Sequence, residues 1–466
     1  LVGPNYQRPI AQAPPEFKEN VPPPNPPHGS WVTAQPADQI LRGDWWKLYN
    51  DQKLDALEDK IAINNLTLRA AMESYLQARA QVSTARSSFY PTLAAGPSIT
   101  REKFSSNQPL ASAGDKIQYT DYAIAGQALW EPDFWGQIRR MVEAARANAQ
   151  ASAALVANAE LSVRTELALD YFELRGLDSQ QQLLDSTVKS YQDYYDLTLT
   201  RYHGGVATES DVALAQTQLE STRALAVDIG VGRAQYEHAI ATLIGQPAST
   251  FSLAPASLDA RVTVLPSVPT GVPSQLLERR PDIAANERLV QAANEQIGIA
   301  QAAFYPTITL GGTGGFNSAQ GGTWIQGPSA LWSLGASGVE TLFDAGRRKS
   351  ITEQARDNYQ VTVANYRQSV LNGFQEVEDN LAALRLLRQE AITQQAAVAA
   401  AERSLHISTE RYRGGVTTYL EVLTAQTAQL SNQRTATDIT TRQFVASVQL
   451  IKALGGGWST TQIPKQ

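Results

Sequence analysis

The sequence predicts a mainly α-helical chain made of two copies of one unit, each with a very long helical hairpin and a pair of strands. Three observations predict it. First, Gln137 to His203 and Arg347 to Arg413 contain no Pro and one Gly each, Gly176 and Gly373. Helix punctuation is missing over ~65 residues each time, room for a rod of about 100 Å at 1.5 Å rise per residue. Second, apolar residues recur every seven positions. Val363, Val370, Val377, Leu384, Ala391, Val398 and Leu405 form one series; Val142, Ala149, Val156 and Val163 form another. A seven-residue repeat is the signature of helices packed side by side. Third, motifs return in matching order. Ser88-Phe89-Tyr90-Pro91-Thr92 returns as Ala303-Phe304-Tyr305-Pro306-Thr307, an offset of 215. Arg201-Tyr202-His203-Gly204-Gly205-Val206 returns as Arg411-Tyr412-Arg413-Gly414-Gly415-Val416, and Leu243-Ile244-Gly245 as Ala453-Leu454-Gly455, both at 210.

Composition sets limits on function. Of 466 residues, 43% are apolar and 18% charged, so the chain can bury a core. A net charge of -6 without a basic run argues against nucleic acid as a partner. The sequence has no Cys, which excludes disulfides, thiolate metal sites and cysteine nucleophiles within it. No stretch reaches the roughly 18 apolar residues of a spanning helix, and no signal peptide opens the chain. Any membrane passage would therefore use a closed β-barrel, which satisfies every backbone polar group.

The elements follow in order. Residues 1–43 form an extended Pro-rich arm, holding ten of the 23 prolines within residues 1–36. Tyr6, Phe17 and Trp31 offer anchors for a strap along the body. Residues 44–91 are the first repeat's helices, stopped at Pro91. Residues 92–131 are the first strand pair, at 92–107 and 117–131. Residues 132–244 are the first long hairpin, turning at Gly204-Gly205 because Gly takes left-handed angles freely, with Thr208 capping the return. Residues 245–281 are irregular and rich in Pro, Ser and Leu. Residues 282–305 are the second repeat's helix. Residues 306–344 are the second strand pair, at 306–320 and 330–344, where Thr307-Ile308-Thr309-Leu310 alternates polar and apolar. Residues 345–454 are the second hairpin, turning at Gly414-Gly415, capped near Thr417 and ended by Gly455-Gly456-Gly457. Residues 455–466 are the tail.

Each strand is long enough to cross a bilayer, but four strands cannot close a barrel, so other copies must complete it. The number of copies does not follow from the residues. The narrow Ala/Val seams with polar flanks suit helices around a wet interior. A soluble antiparallel coiled-coil scaffold has the same period, but does not explain two matched strand regions. An enzyme is disfavoured. His28, His203, His238 and His406 stand far apart, and Gly311-Gly312-Thr313-Gly314-Gly315 lacks the end and helix start of a phosphate loop. Glu376 and Glu378 read as a solvated helix face. No cofactor or metal is expected, and with only Met72 and Met141 there is no soft-metal relay.

Nearly the whole chain resembles the TolC/OprM family of outer-membrane efflux proteins, in its lipoprotein branch found with RND-type pumps. The motifs carrying the resemblance begin with Val2-Gly3-Pro4-Asn5-Tyr6 and Arg8-Pro9, Trp45-Trp46, and Leu277-Glu278-Arg279-Arg280-Pro281-Asp282-Ile283. The doubled Phe-Tyr-Pro, Leu342-Phe343-Asp344, Tyr419-Leu420-Glu421-Val422-Leu423 and Ala453-Leu454-Gly455-Gly456-Gly457-Trp458 complete them. The resemblance implies a homotrimer: a twelve-strand β-barrel in the outer membrane above a twelve-helix periplasmic α-barrel, ringed midway by residues 245–281 and 455–466. It implies a multidrug-type exit duct for drugs or other toxic small molecules. The partners implied are a periplasmic adaptor (membrane fusion protein), an inner-membrane RND transporter and outer-membrane lipid. A type I protein-secretion or metal-efflux role is the alternative. A lipid anchor on a Cys preceding Leu1 is also implied, since that branch carries one before Val-Gly-Pro.

By the same resemblance the duct closes at the hairpin tips. Leu420 matches an apolar constriction, and Arg411 and Tyr412 match a pair that bonds neighbouring helices. Relatives carry an acid and a base where this chain has Thr424 and Thr427. Glu421, Glu209 and Asp211 are the nearby acids that would supply tip charge or bond Arg411. Arg201, Tyr202, Gly204, Gly205 and Val206, with Arg413, Gly414, Gly415 and Val416, would meet the adaptor.

Overall fold

The computed structural model describes residues 1–11, 13–19, 43–103, 105, 118–258, 265–266 and 273–464. Trp31, the 106–117 connection and parts of 245–281 lie outside them. Two short helices open the body, α1 (Gln52–Asn64) and α2 (Leu66–Ser87). Strands β1 (Thr92–Lys103) and β2 (Gln118–Trp130) follow. Then come α3 (Gln137–His203) and α4 (Glu209–Leu243). The second half begins with a single turn, α5 (Leu276–Arg279), and continues with α6 (Pro281–Ala302), β3 (Thr307–Ser318) and β4 (Ala330–Val339). It ends with α7 (Arg347–Arg413) and α8 (Tyr419–Ala453).

Both long helices have 67 residues, about 100 Å each. Their returning partners have only 35. The shorter helices make up the difference end to end. The Asn65 side-chain amide at the head of α2 donates to the Leu243 carbonyl at the foot of α4 (2.7 Å). Arg280 at the head of α6 donates to the Ala453 carbonyl at the foot of α8 (3.1 Å). Gly455, with φ of +90°, passes so close to the Arg279 carbonyl that a Cβ would lie 2.1 Å from it. Two of the motifs that carried the resemblance, Arg279-Arg280-Pro281 and Ala453-Leu454-Gly455, thus meet at one joint.

The strands form one antiparallel sheet in sequence order, with β1 and β4 as free edges in the single chain. The register sorts its residues into two unlike faces, since paired residues share a face and neighbours along a strand alternate. One face carries Leu93, Ile99, Ile124, Ile308, Leu310, Phe316, Trp332 and Leu334. The other carries Ser98, Thr100, Gln127, Thr309, Thr313, Asn317, Ser333 and Ser337, with Leu129, Leu331 and Val339 among them, while Arg101 and Lys103 fall at one end of the apolar face. Gly and Ala blurred this alternation strand by strand. No helix among the described residues is long and apolar enough to cross a membrane.

The largest core lies midway along the long helices. Trp45, Trp46, Tyr49, Leu54 and Ile61 pack against Leu167, Tyr171 and Phe172 of α3, Ile240 of α4 and Phe444 and Val448 of α8. Phe172 and Phe444 stack at 5.0 Å. A second cluster joins Ile283 and Val290 of α6 to Val363, Val370 and Val377 of α7, the first three members of the seven-residue series. The later members, Leu384 to Leu405, are half-buried. The described part of the arm runs along this cluster. Phe17 is buried in it, Tyr6 donates to Glu287, and the amides of Lys18 and Glu19 donate to Glu378 (2.7 and 2.9 Å).

Three helix ends differ from the expected ones. The α8 cap is Thr418, not Thr417, and its side chain makes no capping bond; the Thr417 hydroxyl is buried without a partner among the described residues. Helices α2 and α6 stop at Ser87 and Ala302, ahead of the prolines, because a tight turn of i→i−3 bonds fills the gap.

Candidate functional site

The two hairpin tips close with the same chemistry. At the first, Val206 N donates to the Arg201 carbonyl (2.8 Å) and Gly205 N to the Tyr202 carbonyl (2.9 Å). At the second, Val416 N donates to Arg411 (2.9 Å) and Gly415 N to Tyr412 (3.0 Å). This is the Schellman pattern, which satisfies the last helix carbonyls through one left-handed residue. That residue is the second glycine of each pair, with φ of +74° at Gly205 and +72° at Gly415. Gly204 and Gly414 keep ordinary negative φ, so only the second glycine of each pair uses the left-handed freedom that the sequence offered.

The returning helices start differently. Thr208 and Asp211 form a reciprocal capping box: Asp211 N donates to Thr208 Oγ1 (3.2 Å), and Thr208 N donates to Asp211 Oδ2 (3.0 Å). Asp211 is thereby engaged at its own helix start. Among the acids offered to Arg411, Glu421 takes it, at 3.3 Å between two half-exposed side chains. A pair so exposed contributes under about 1 kcal/mol. Arg413 pairs with Glu410 at 3.1 Å.

Tyr412 holds the tip through its ring. It is buried, meets Tyr419 edge-on at 5.6 Å, and lies under the Arg201 guanidinium at 4.7 Å. Arg201 also donates to the Arg413 carbonyl at 3.3 Å. One arginine of the first hairpin therefore clamps the second. The Tyr412 hydroxyl finds no partner among the described residues.

Above this clamp lies a polar knot that the sequence did not flag. Tyr191 of α3 donates to the Gln426 carbonyl of α8 (3.1 Å), and Tyr419 donates to Gln426 Oε1 (3.3 Å). Tyr194 bonds Thr409 at 2.9 Å. Gln426 and Tyr419 lie one heptad apart, the only signal that marked them. Burial pushes the Tyr419 hydroxyl well above its ordinary pKa. Thr424 and Thr427 turn back onto their own helix, donating to the Leu420 and Leu423 carbonyls (2.9 Å each).

The remaining tip residues face outward. Leu420 is 57% exposed, Val206 68% and Val416 71%, and Tyr202 is also exposed. None of the described residues covers them, which leaves them free to meet other chains.

Comparison with known proteins finds the outer membrane efflux protein family matched twice, over residues 57–246 and 272–456, one match to each half of the repeat. The probable efflux pump outer membrane protein TtgC of Pseudomonas putida is 30% identical over 98% of this chain and 92% of its own length. The cation efflux system protein CusC of Escherichia coli is 28% identical over 98% of this chain and 95% of its own. The structure of the outer-membrane channel OprN superposes with a TM-score of 0.87 at 26% identity, covering 98% of this chain and 99% of that one.

Proposed function

Since this chain belongs to the outer membrane efflux protein family, we propose how its own residues build and close the duct. It is an outer-membrane efflux component, with the strands at the membrane and the long helices in the periplasm. Three copies pair β4 to β1 and close a twelve-strand barrel. The apolar face turns to lipid and the Ser/Thr face to the lumen, as hydrocarbon and water require. The two-faced register is the single observation that carries this reading. The four helix lines of each copy give a twelve-line wall below.

The tips form the closed end. Leu420 from each copy meets the others on the axis as an apolar ring. Arg201, Tyr412 and Tyr419 hold the second hairpin inward, and Arg411–Glu421 adds a weak outer tie. The exposed tip residues Tyr202, Val206, Arg413 and Val416, on their glycine turns, receive a periplasmic adaptor that links the duct to an RND transporter. Its contact favours a splayed packing, a shift between two states of one bundle. Cargo is drugs or other toxic small molecules chosen by the pump. The Val2 amide donates to the Trp135 carbonyl (3.1 Å), setting the first residues at the periplasmic end of the sheet. A lipid on a preceding Cys would reach the membrane from there.

Planar-bilayer recording tests the closed end. Leu420→Ala should raise resting conductance several-fold while leaving the trimer intact. Wild-type conductance in that variant places the constriction elsewhere.

A further inference from the structure

Leu342 and Phe343 are 92% and 86% exposed, more than any other large apolar residues among those described. They are not on a loose loop. Asp344 accepts from Gly346 N (3.1 Å) and from the Arg348 amide and guanidinium (3.2 and 2.7 Å), and Arg348 donates back to the Thr341 carbonyl. A clamped loop whose two large apolar side chains are left uncovered by the described residues calls for a partner.

The internal repeat says which. Each junction from a strand into a long helix leans on the Phe-Tyr-Pro turn of its own repeat. Trp130 Nε1 donates to the Phe89 carbonyl (2.9 Å), and the Arg348 guanidinium lies over the Phe304 ring at 5.2 Å. The first loop also leans on the turn before the next strand round the sheet. Trp135 stacks on Tyr305 at 4.9 Å and donates to the Pro306 carbonyl (2.7 Å). For the second loop, the next strand is β1 of another copy, and no such contact is present among the described residues.

The register fixes the missing contact. Leu129 pairs with Gly311 across β2 and β3. Thr92 pairs with Leu129 as Thr307 pairs with Val339, so the repeat equates Leu129 with Val339 and Gly311 with Gly96. Val339 then falls opposite Gly96 of the next copy; the β2–β3 ladder that serves as template stops one pair further on, at Trp130 and Leu310, and an extended chain continued from there brings Phe343 level with Thr92 and Leu342 level with Leu93. Thr92 and Tyr90 line an open cleft of about 410 Å³ with Leu129, Ile138 and Met141. Leu93, on the lipid face, is itself exposed.

We propose that Phe343 of one copy fills the Tyr90/Thr92 cleft of the next, while Leu342 covers its Leu93, so that each junction between copies is locked at the foot of the barrel. This rests on the closed barrel proposed above, and it adds one register and two side chains to it.

The sequence contains no Cys, so paired cysteines read the register directly. Thr92→Cys with Phe343→Cys should give covalent dimers and trimers on oxidation, reversed by reductant. Leu93→Cys with Leu342→Cys should do the same from the lipid face. A link within one chain is excluded, since three strand spacings of about 4.8 Å separate the edges and a disulfide spans at most ~7 Å between Cα atoms. Thr100→Cys with Phe343→Cys, eight residues out of register, should stay unlinked. Intact trimers in which neither in-register pair links would overturn the lock and leave the barrel standing. A wild-type chain that never forms oligomers would overturn the barrel itself. Strong quenching of bimane on Phe343→Cys by brominated acyl chains would place that side chain in lipid and overturn the lock. Weak quenching, with both pairs linked, supports it.

Discussion

The Tyr412 ring is clamped between Arg201 and Tyr419, while its buried hydroxyl has no hydrogen-bond partner among the described residues. An orphaned buried hydroxyl costs about 1–3 kcal/mol, and a guanidinium over a ring returns about 0.5–2 kcal/mol. The two substitutions that separate these effects should act in opposite directions. Tyr412→Phe keeps the ring, removes the orphan, and should leave resting conductance at or below wild type. Tyr412→Leu removes the ring and should raise it, measured on the same single channels. The Arg-Tyr motif was legible in the sequence, but the clamp was not. Arg201 and Tyr412 stand far apart along the chain, on different hairpins, and no helical period joins them. The same holds for Gln426, whose role depends on Tyr191 of another helix.

Among the elements, the two returning helices share a length and a turn but not a start. Thr208 and Asp211 close a capping box on α4, whereas Thr418 heads α8 with no side-chain bond. An N-cap side chain typically contributes about 1 kcal/mol, so Thr208→Ala should cost near that and Thr418→Ala much less. Hydrogen exchange at the first turns of α4 and α8 would read the difference, and equal losses would refute it. Long helices were readable because missing Pro and Gly is a signal that sums over many residues. Strand bounds were softer. The second pair, expected to reach 320 and 344, ends at Ser318 and Val339, since ladder partners run out in the single chain. The capping register slipped by one residue because two adjacent threonines offer the same side chain.

For the whole molecule, the sequence carried the duplication and the need for other copies, while the sorting of the sheet into two faces needed the register. The mid-duct core carries a pH dependence that no motif announced. Burial, reinforced by Glu166 and Glu173 on the same helix, pushes the Asp170 carboxyl up to about 7. In the unfolded chain it ionises near pH 4. The native state therefore holds this proton more tightly, and its contribution to stability is full below about pH 4 and lost as pH rises through about 7. Asp170→Asn should raise the unfolding temperature of the solubilised protein more at pH 8 than at pH 5; an equal gain at both would refute the shift. The end-to-end joints at Asn65–Leu243 and Arg280–Ala453 have a mechanical corollary. Only α3 and α7 run as unbroken covalent rods from tip to sheet. The other two lines of the wall are spliced by a few hydrogen bonds halfway along. In the duct proposed above, a twist applied at the bottom would be absorbed as slip at those splices, and the mouth would widen while the rim in the bilayer kept its diameter.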